Sequence, residues 1–129
     1  MKPAMSAICD YPLRFQPLLR RYLWGGRRLG QMLGKPIGPG DDYAESWEIV
    51  DHGEDQSVVT HGPLTGMTLG SLTRDQAQAL LGTAAGVERF PLLLKFLDCN
   101  RTLSVQVHPN DVQGAQLDPP DLGKTEAWV

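Results

Sequence analysis

The chain has little of several things, and each shortage removes a class of protein. Only two cysteines occur among its 129 residues, Cys9 and Cys99, far apart in the sequence. Two such thiols cannot make a disulfide framework of the kind that holds small secreted domains together. Cys99 follows an apolar run and reads as a small core residue. No apolar stretch is long enough to span a bilayer, and Met1–Asp10, with its single lysine, is not a secretory leader. A cytoplasmic setting follows as the expectation. Basic charge is also in short supply: 12 Lys and Arg stand against 15 Asp and Glu. The one basic cluster, Arg20, Arg21, Arg27 and Arg28, reads as a solvated surface. Nucleic acid is a poor partner for such a chain.

What is present points to short strands and tight turns. The chain holds 14 Gly and 10 Pro in a length suited to one domain. Residues 1–10 read as a loose arm. Residues 11–18 read as a short edge strand with proline near each end. Residues 25 and 26 allow a tight turn. Leu29, Met32 and Leu33 have helical spacing, and Gly34 ends that helix. Residues 45–51 and 56–60 are strand candidates on either side of a turn at His52–Asp55. The clearest helix signal is TRDQAQALLG, with Thr73 as its cap, Gln76 three residues on and Gly82 as its stop. PLLLKFLD, residues 91–98, reads as a strand buried on both faces. Asn110 opens a single helical turn, and residues 118–123 are a proline-broken loop. Residues 124–129 begin another strand whose abrupt stop at Val129 suggests a fragment of a longer chain.

Chemistry concentrates in three places. Residues 101–108, RTLSVQVH, alternate strictly. In a strand, Leu103, Val105 and Val107 share one face, which reads as core. Ser104, Gln106 and His108 share the other. His108 can bind a metal through a ring nitrogen, and Gln106 can add an amide oxygen. On spacing alone the same row better describes an ordinary solvent-facing strand surface. In GKTE, Lys124 and Glu126 share a face if the segment is extended; they are a metal-ligand and acid–base pair or a plain surface ion pair. Lys95 lies inside an apolar run, where an ammonium must snorkel out or meet an anion. Glu48, in ESWEIVD, reads as the polar face of a half-buried strand. Trp24 and Trp47 read as core anchors, and His52 and His61 as surface residues.

The order of these pieces carries more than any one of them. YLWGGRRL, AESWEIVDH, HGPLTGMTLGSL, FPLLLKFLDCNRTLSVQVHPND and LGKTEAWV together resemble the first part of the type I mannose-6-phosphate isomerases. The resemblance runs from about Tyr11 to Val129. It implies a mainly β, cupin-like (jelly-roll) barrel, incomplete here, with a small helical element. It also implies zinc held by Gln106, His108 and Glu126. The family's fourth ligand is a distant histidine, and no histidine follows His108 in this sequence. A family arginine near the sugar is likewise missing. The resemblance assigns Lys95 and Ser104 to the substrate phosphate, and places Lys124 and Glu48 as catalytic candidates. The implied reaction interconverts mannose 6-phosphate and fructose 6-phosphate. One alternative is a truncated cupin that binds a metal or sugar phosphate without catalysis. Another is an oxygenase on the same fold, but that class shows His-x-Asp or His-x-Glu where this chain has Gln-x-His.

Overall fold

The computed structural model describes residues 11–129. The arm expected over residues 1–10, and Cys9 within it, lie outside the described residues. Among the described residues the architecture is built on an open sheet that does not close into a barrel, in keeping with the incomplete cupin-like barrel expected. Strand β1 (Leu18–Gly26) pairs antiparallel with β2 (Tyr43–Ile49), and β2 pairs antiparallel with β5 (Leu94–Leu97). The order is therefore β1-β2-β5, with β2 in the centre. A two-residue hairpin, β3 (Asp51–His52) and β4 (Asp55–Gln56), turns at the expected HGED.

Alternation along β2 decides what each face does. Ala44, Ser46 and Glu48 point one way, towards the short helix α1 (Arg28–Leu33) and the loop after it. Glu45 and Trp47 point the other way. Helix α1 forms where its spacing predicts, buries Leu29, and ends at Gly34. Gly34 has φ 63°, a left-handed conformation that glycine adopts without a Cβ penalty. The helix is tied to the end of β5 by Asp98. That buried carboxylate accepts from the Arg28 backbone N–H and from Arg28 Nε, both at 2.7 Å.

The second helical unit starts earlier than the sequence suggests. Helix α2 spans Leu69–Asp75, and its cap is Thr68, whose side chain accepts from the Ser71 N–H. Thr73 is buried within the helix, not placed at its start. The apolar pair Leu69 and Leu72, both fully buried, pulls the start of the helix towards the core. Gln76 marks the break between α2 and α3 (Ala77–Leu81), and Gly82 ends the unit as expected. This unit covers a core of Val59, Leu64 and Leu72, to which Tyr11, Leu13 and Phe15 add their side chains.

Five other expectations give way, most of them for a reason of pairing. Residues 11–18 make only a single bridge, Phe15 to Val59, before β1 begins. Residues 57–60 do not hold one partner: Ser57 bonds Val50, Val59 bonds Met67, and Thr60 bonds Arg14. Strand β5 is short and exposed at Leu94 and Phe96, so it is not buried on both faces; nothing described pairs along its outer edge. Cys99, just past β5, is exposed and free. Residues 101–108 form no strand, and Val105 and Val107 are 100% and 94% exposed instead of core. An alternating segment becomes a strand only beside a partner that satisfies its backbone, and no strand among the described residues lies there.

The arginine cluster is more than a solvated surface. Arg20 pairs with Asp55, and Arg21 with Asp42. Arg27 donates to the carbonyls of Gly38 and Gly40, and Arg28 holds Asp98. These contacts stitch the loops to β1 and α1.

Candidate functional site

A cavity of about 510 Å³ opens on the Glu45–Trp47 face of the sheet. Its floor is β2 and β5, through Glu45, Lys95 and Leu97. One wall is the irregular segment carrying Leu103, Ser104, Gln106 and His108. The far wall is Lys124, Glu126 and Trp128, and Trp24 of β1 closes the group. Six residues singled out in the sequence therefore share one space: Lys95, Ser104, Gln106, His108, Lys124 and Glu126. They come from three stretches of chain.

The contact between the second and third stretches is built locally. Helix α4 (Asp111–Gly114) opens with a full capping box: Asn110 accepts from the Gln113 N–H, and the Gln113 side chain accepts from the Asn110 N–H. The 121–124 loop folds back onto this turn. Gly123 donates to Asp111 Oδ1 and Lys124 donates to the Pro109 carbonyl. A Cβ at Gly123 would lie 2.5 Å from backbone atoms of Asn110 and Asp111, so only glycine allows the approach. The fold-back brings Glu126 to His108, with Nε2 and Oε2 2.7 Å apart.

Glu126 is the electrostatic centre of the group. Lys124 Nζ lies 2.7 Å from the same Oε2. The Lys124 ammonium, helped by His108, holds the Glu126 carboxyl down to about 2 against the opposing effect of partial burial. On the neighbouring wall, Gln106 Nε2 donates to Ser104 Oγ at 3.2 Å, so these two side chains share a face as the alternation predicts. Leu103, expected on the opposite, core face, also lines the cavity and is half-buried.

Glu48 is not brought to this cavity. It lies on the other face of β2, where it accepts from Ser46 Oγ at 2.6 Å and pairs with Lys35 Nζ at 2.7 Å. The strand's period of two separates it from Glu45, the acidic residue that does line the cavity. The sequence reading passed over Glu45. The available signal was its parity with Trp47; across β2 and β5, Glu45 stands opposite Leu97 and Trp47 opposite Lys95. Trp24 was read as a core anchor; it is half-buried, stacks on Tyr22 and faces the cavity.

No three of His, Cys, Asp and Glu cluster among the described residues, so a metal held by those types alone has no site here. Gln106, His108 and Glu126 do offer an amide oxygen, an imidazole nitrogen and a carboxylate oxygen on one cavity. Imidazole nitrogen and carboxylate oxygen are donor types that zinc accepts; here His108 Nε2 and Glu126 Oε2 are engaged in a hydrogen bond with each other.

Residues 13–124 match the family described as phosphomannose isomerase type I, catalytic domain. The chain belongs to this family. Mannose-6-phosphate isomerase ManA of Bacillus subtilis (strain 168) is 42% identical over 117 residues, covering 91% of this chain. The mannose-6-phosphate isomerase of Streptococcus mutans is 38% identical over the same number of residues. The crystal structure of the mannose 6-phosphate isomerase from Bacillus subtilis superposes with a TM-score of 0.78 at 34% identity, over 87% of this chain. The chain spans 36% of the length of these two curated relatives and 35% of the solved chain. The phosphomannose isomerase match ends at Lys124 and so takes in every cavity residue named above except Glu126 and Trp128.

Proposed function

We propose that this chain is the N-terminal portion of an aldose–ketose isomerase that interconverts mannose 6-phosphate and fructose 6-phosphate with the aid of zinc. The observation that supports this most is the convergence of Lys95, Ser104, Gln106, His108, Lys124 and Glu126 on one cavity. In this reading Gln106, His108 and Glu126 hold the metal, with a further position left for a ligand that these 129 residues do not supply. Zinc there would act as a Lewis acid and template for the sugar oxygens.

The remaining work falls to the chain's own side chains. Lys95 supplies positive charge for the phosphate, and the Ser104 hydroxyl supplies a donor; together they fix which end of the sugar faces the metal ligands. A proton must pass between adjacent carbons, and its carrier must lie within hydrogen-bond reach of them. Of Lys124 and Glu48, Lys124 faces the cavity while Glu48 is turned to α1. The carrier's role therefore goes to Lys124 Nζ, which can take the carbon-bound proton only as the neutral amine, after its ammonium has given up a proton to solvent. A cytoplasmic setting suits such a reaction, and no helix among the described residues is long and apolar enough to cross a membrane.

A truncated cupin that only binds is the second reading, favoured by the three-donor set. Lys95→Met separates ligand recognition from metal binding. It should weaken mannose 6-phosphate binding about tenfold, the scale of one charge-assisted contact to phosphate, and leave zinc affinity unchanged. Equal mannose 6-phosphate affinity in the two proteins would remove Lys95 from the site. Turnover by these 129 residues with zinc should be very low or nil; robust isomerisation by them would exclude the second reading.

A further inference from the structure

Glu45 is 7% exposed, an unusual burial for a carboxylate, and neither oxygen is left idle. Oε2 accepts from the Trp47 indole N–H at 2.6 Å, and Oε1 accepts from Lys95 Nζ at 3.1 Å. Trp47 is in turn fixed from its other side: the Arg20 guanidinium lies 4.4 Å from its ring centroid, and Arg20 pairs with Asp55. The Lys95 ammonium itself stands 5.9 Å from the same ring. A chain of contacts therefore runs from β4 through Arg20, Trp47 and Glu45 to the tip of Lys95. Strand register holds it in place, because Trp47 and Lys95 are direct partners across β2 and β5.

A free lysine has four rotatable bonds and would sweep much of a cavity this size. Lys95 cannot, because its ammonium is held at the wall by a carboxylate that is itself clamped. We infer that Glu45 is a positioning residue, one that fixes the Lys95 ammonium at the cavity wall for an incoming sugar phosphate. The inference rests on the sugar-phosphate reading of the cavity but is tested separately from it. Glu45 acts on the anion only through Lys95. Its negative charge by itself opposes a phosphate, so position and charge make opposite predictions for its variants.

Glu45→Asp keeps the charge and withdraws the carboxylate by one methylene. The first readout is the rate of amine labelling at each lysine, followed by mass spectrometry in the 129-residue chain. Lys35 is the internal control, since it pairs with Glu48 on the opposite face. Lys95 labelling should rise about two- to fivefold relative to Lys35, the scale of a lost, partly exposed ion pair. Trp47→Phe keeps an aromatic face but replaces the indole with a smaller phenyl ring and removes the N–H that clamps Glu45; it should raise the ratio in the same direction by a smaller factor, and it decides the matter if Glu45→Asp does not fold. An unchanged ratio in the folded variants would overturn the inference. The second readout is mannose 6-phosphate affinity. Glu45→Asp should weaken it several-fold, whereas a role through charge alone would leave it unchanged and would also overturn the inference. Should mannose 6-phosphate fail to bind the wild-type chain while Lys95 labelling responds as stated, the sugar-phosphate reading fails and the Glu45–Lys95 clamp stands.

Discussion

The two ends of the chain solve the problem of placing a side chain in different ways. Residues 11–98 place Glu45, Trp47 and Lys95 by strand register, and the buried residues of β2 and the helical unit support them. Residues 101–129 carry five of the six cavity residues singled out from the sequence, yet contain no strand and bury almost nothing. Their order comes from one capped turn, a glycine contact and an ion-pair group. The first region is rigid through packing. The second is held by a handful of polar contacts, so single substitutions there should move function with little effect on stability, whereas substitutions at the buried residues of the first region should lower stability.

The largest effect on stability should come from Asp98→Ala. The substitution removes a buried carboxylate that ties α1 to the end of β5 and leaves the Arg28 N–H without its acceptor. Chemical unfolding should show a loss of about 2–3 kcal/mol. A loss below about 0.5 kcal/mol would mean that the packed region does not depend on that tie.

Gly123→Ala probes the other region. Its Cβ would collide with the backbone of Asn110 and Asp111, forcing the 121–126 segment away from His108. Zinc affinity should fall sharply, while unfolding free energy changes by about 1 kcal/mol or less. Wild-type zinc affinity in this variant would show that the glycine contact does not deliver Glu126.

These contrasts also explain what could be read from the sequence. Helix α1, the HGED turn and the Asn110 cap were legible because each is fixed by residues a few positions apart. Six of the cavity's residues were legible through the family's motif order, which also placed Glu48 there although it lies on the other face, and the Ser104–Gln106 parity was legible through alternation. Pairing was not legible. Val105 and Val107 look like core because their alternation assumes a partner strand, and alternation cannot say whether one is there. Thr73 looks like a cap because TRDQ imitates a capping box; the buried Leu69–Leu72 pair starts the helix earlier. Glu45 escaped notice because two glutamates flank Ser46 and Trp47, and only the face they point to tells them apart.

A smaller effect should appear with pH. The Glu126 carboxyl sits at about 2 instead of its ordinary 4.5, so its ion pairs support the folded state fully above about pH 5. That support should fade as pH falls through 4.5 towards 2, where the carboxylate takes up its proton. Carbonyl-carbon NMR of Glu126 would follow the titration, and Lys124→Met should return the midpoint towards 4.5. A midpoint already near 4.5 in the wild type would mean that the Lys124 contact is not formed in solution.

In the proposed zinc site Gln106, His108 and Glu126 act together although they come from chain stretches with no shared strand. Calorimetric zinc titration of the wild type, His108→Ala, Glu126→Ala and Gln106→Ala is the decisive test. Binding should be measurable in the wild type, lost in the histidine and glutamate variants, and weakened in the glutamine variant, since an amide oxygen is the poorer donor. Equal zinc affinity in all four proteins would place the metal elsewhere.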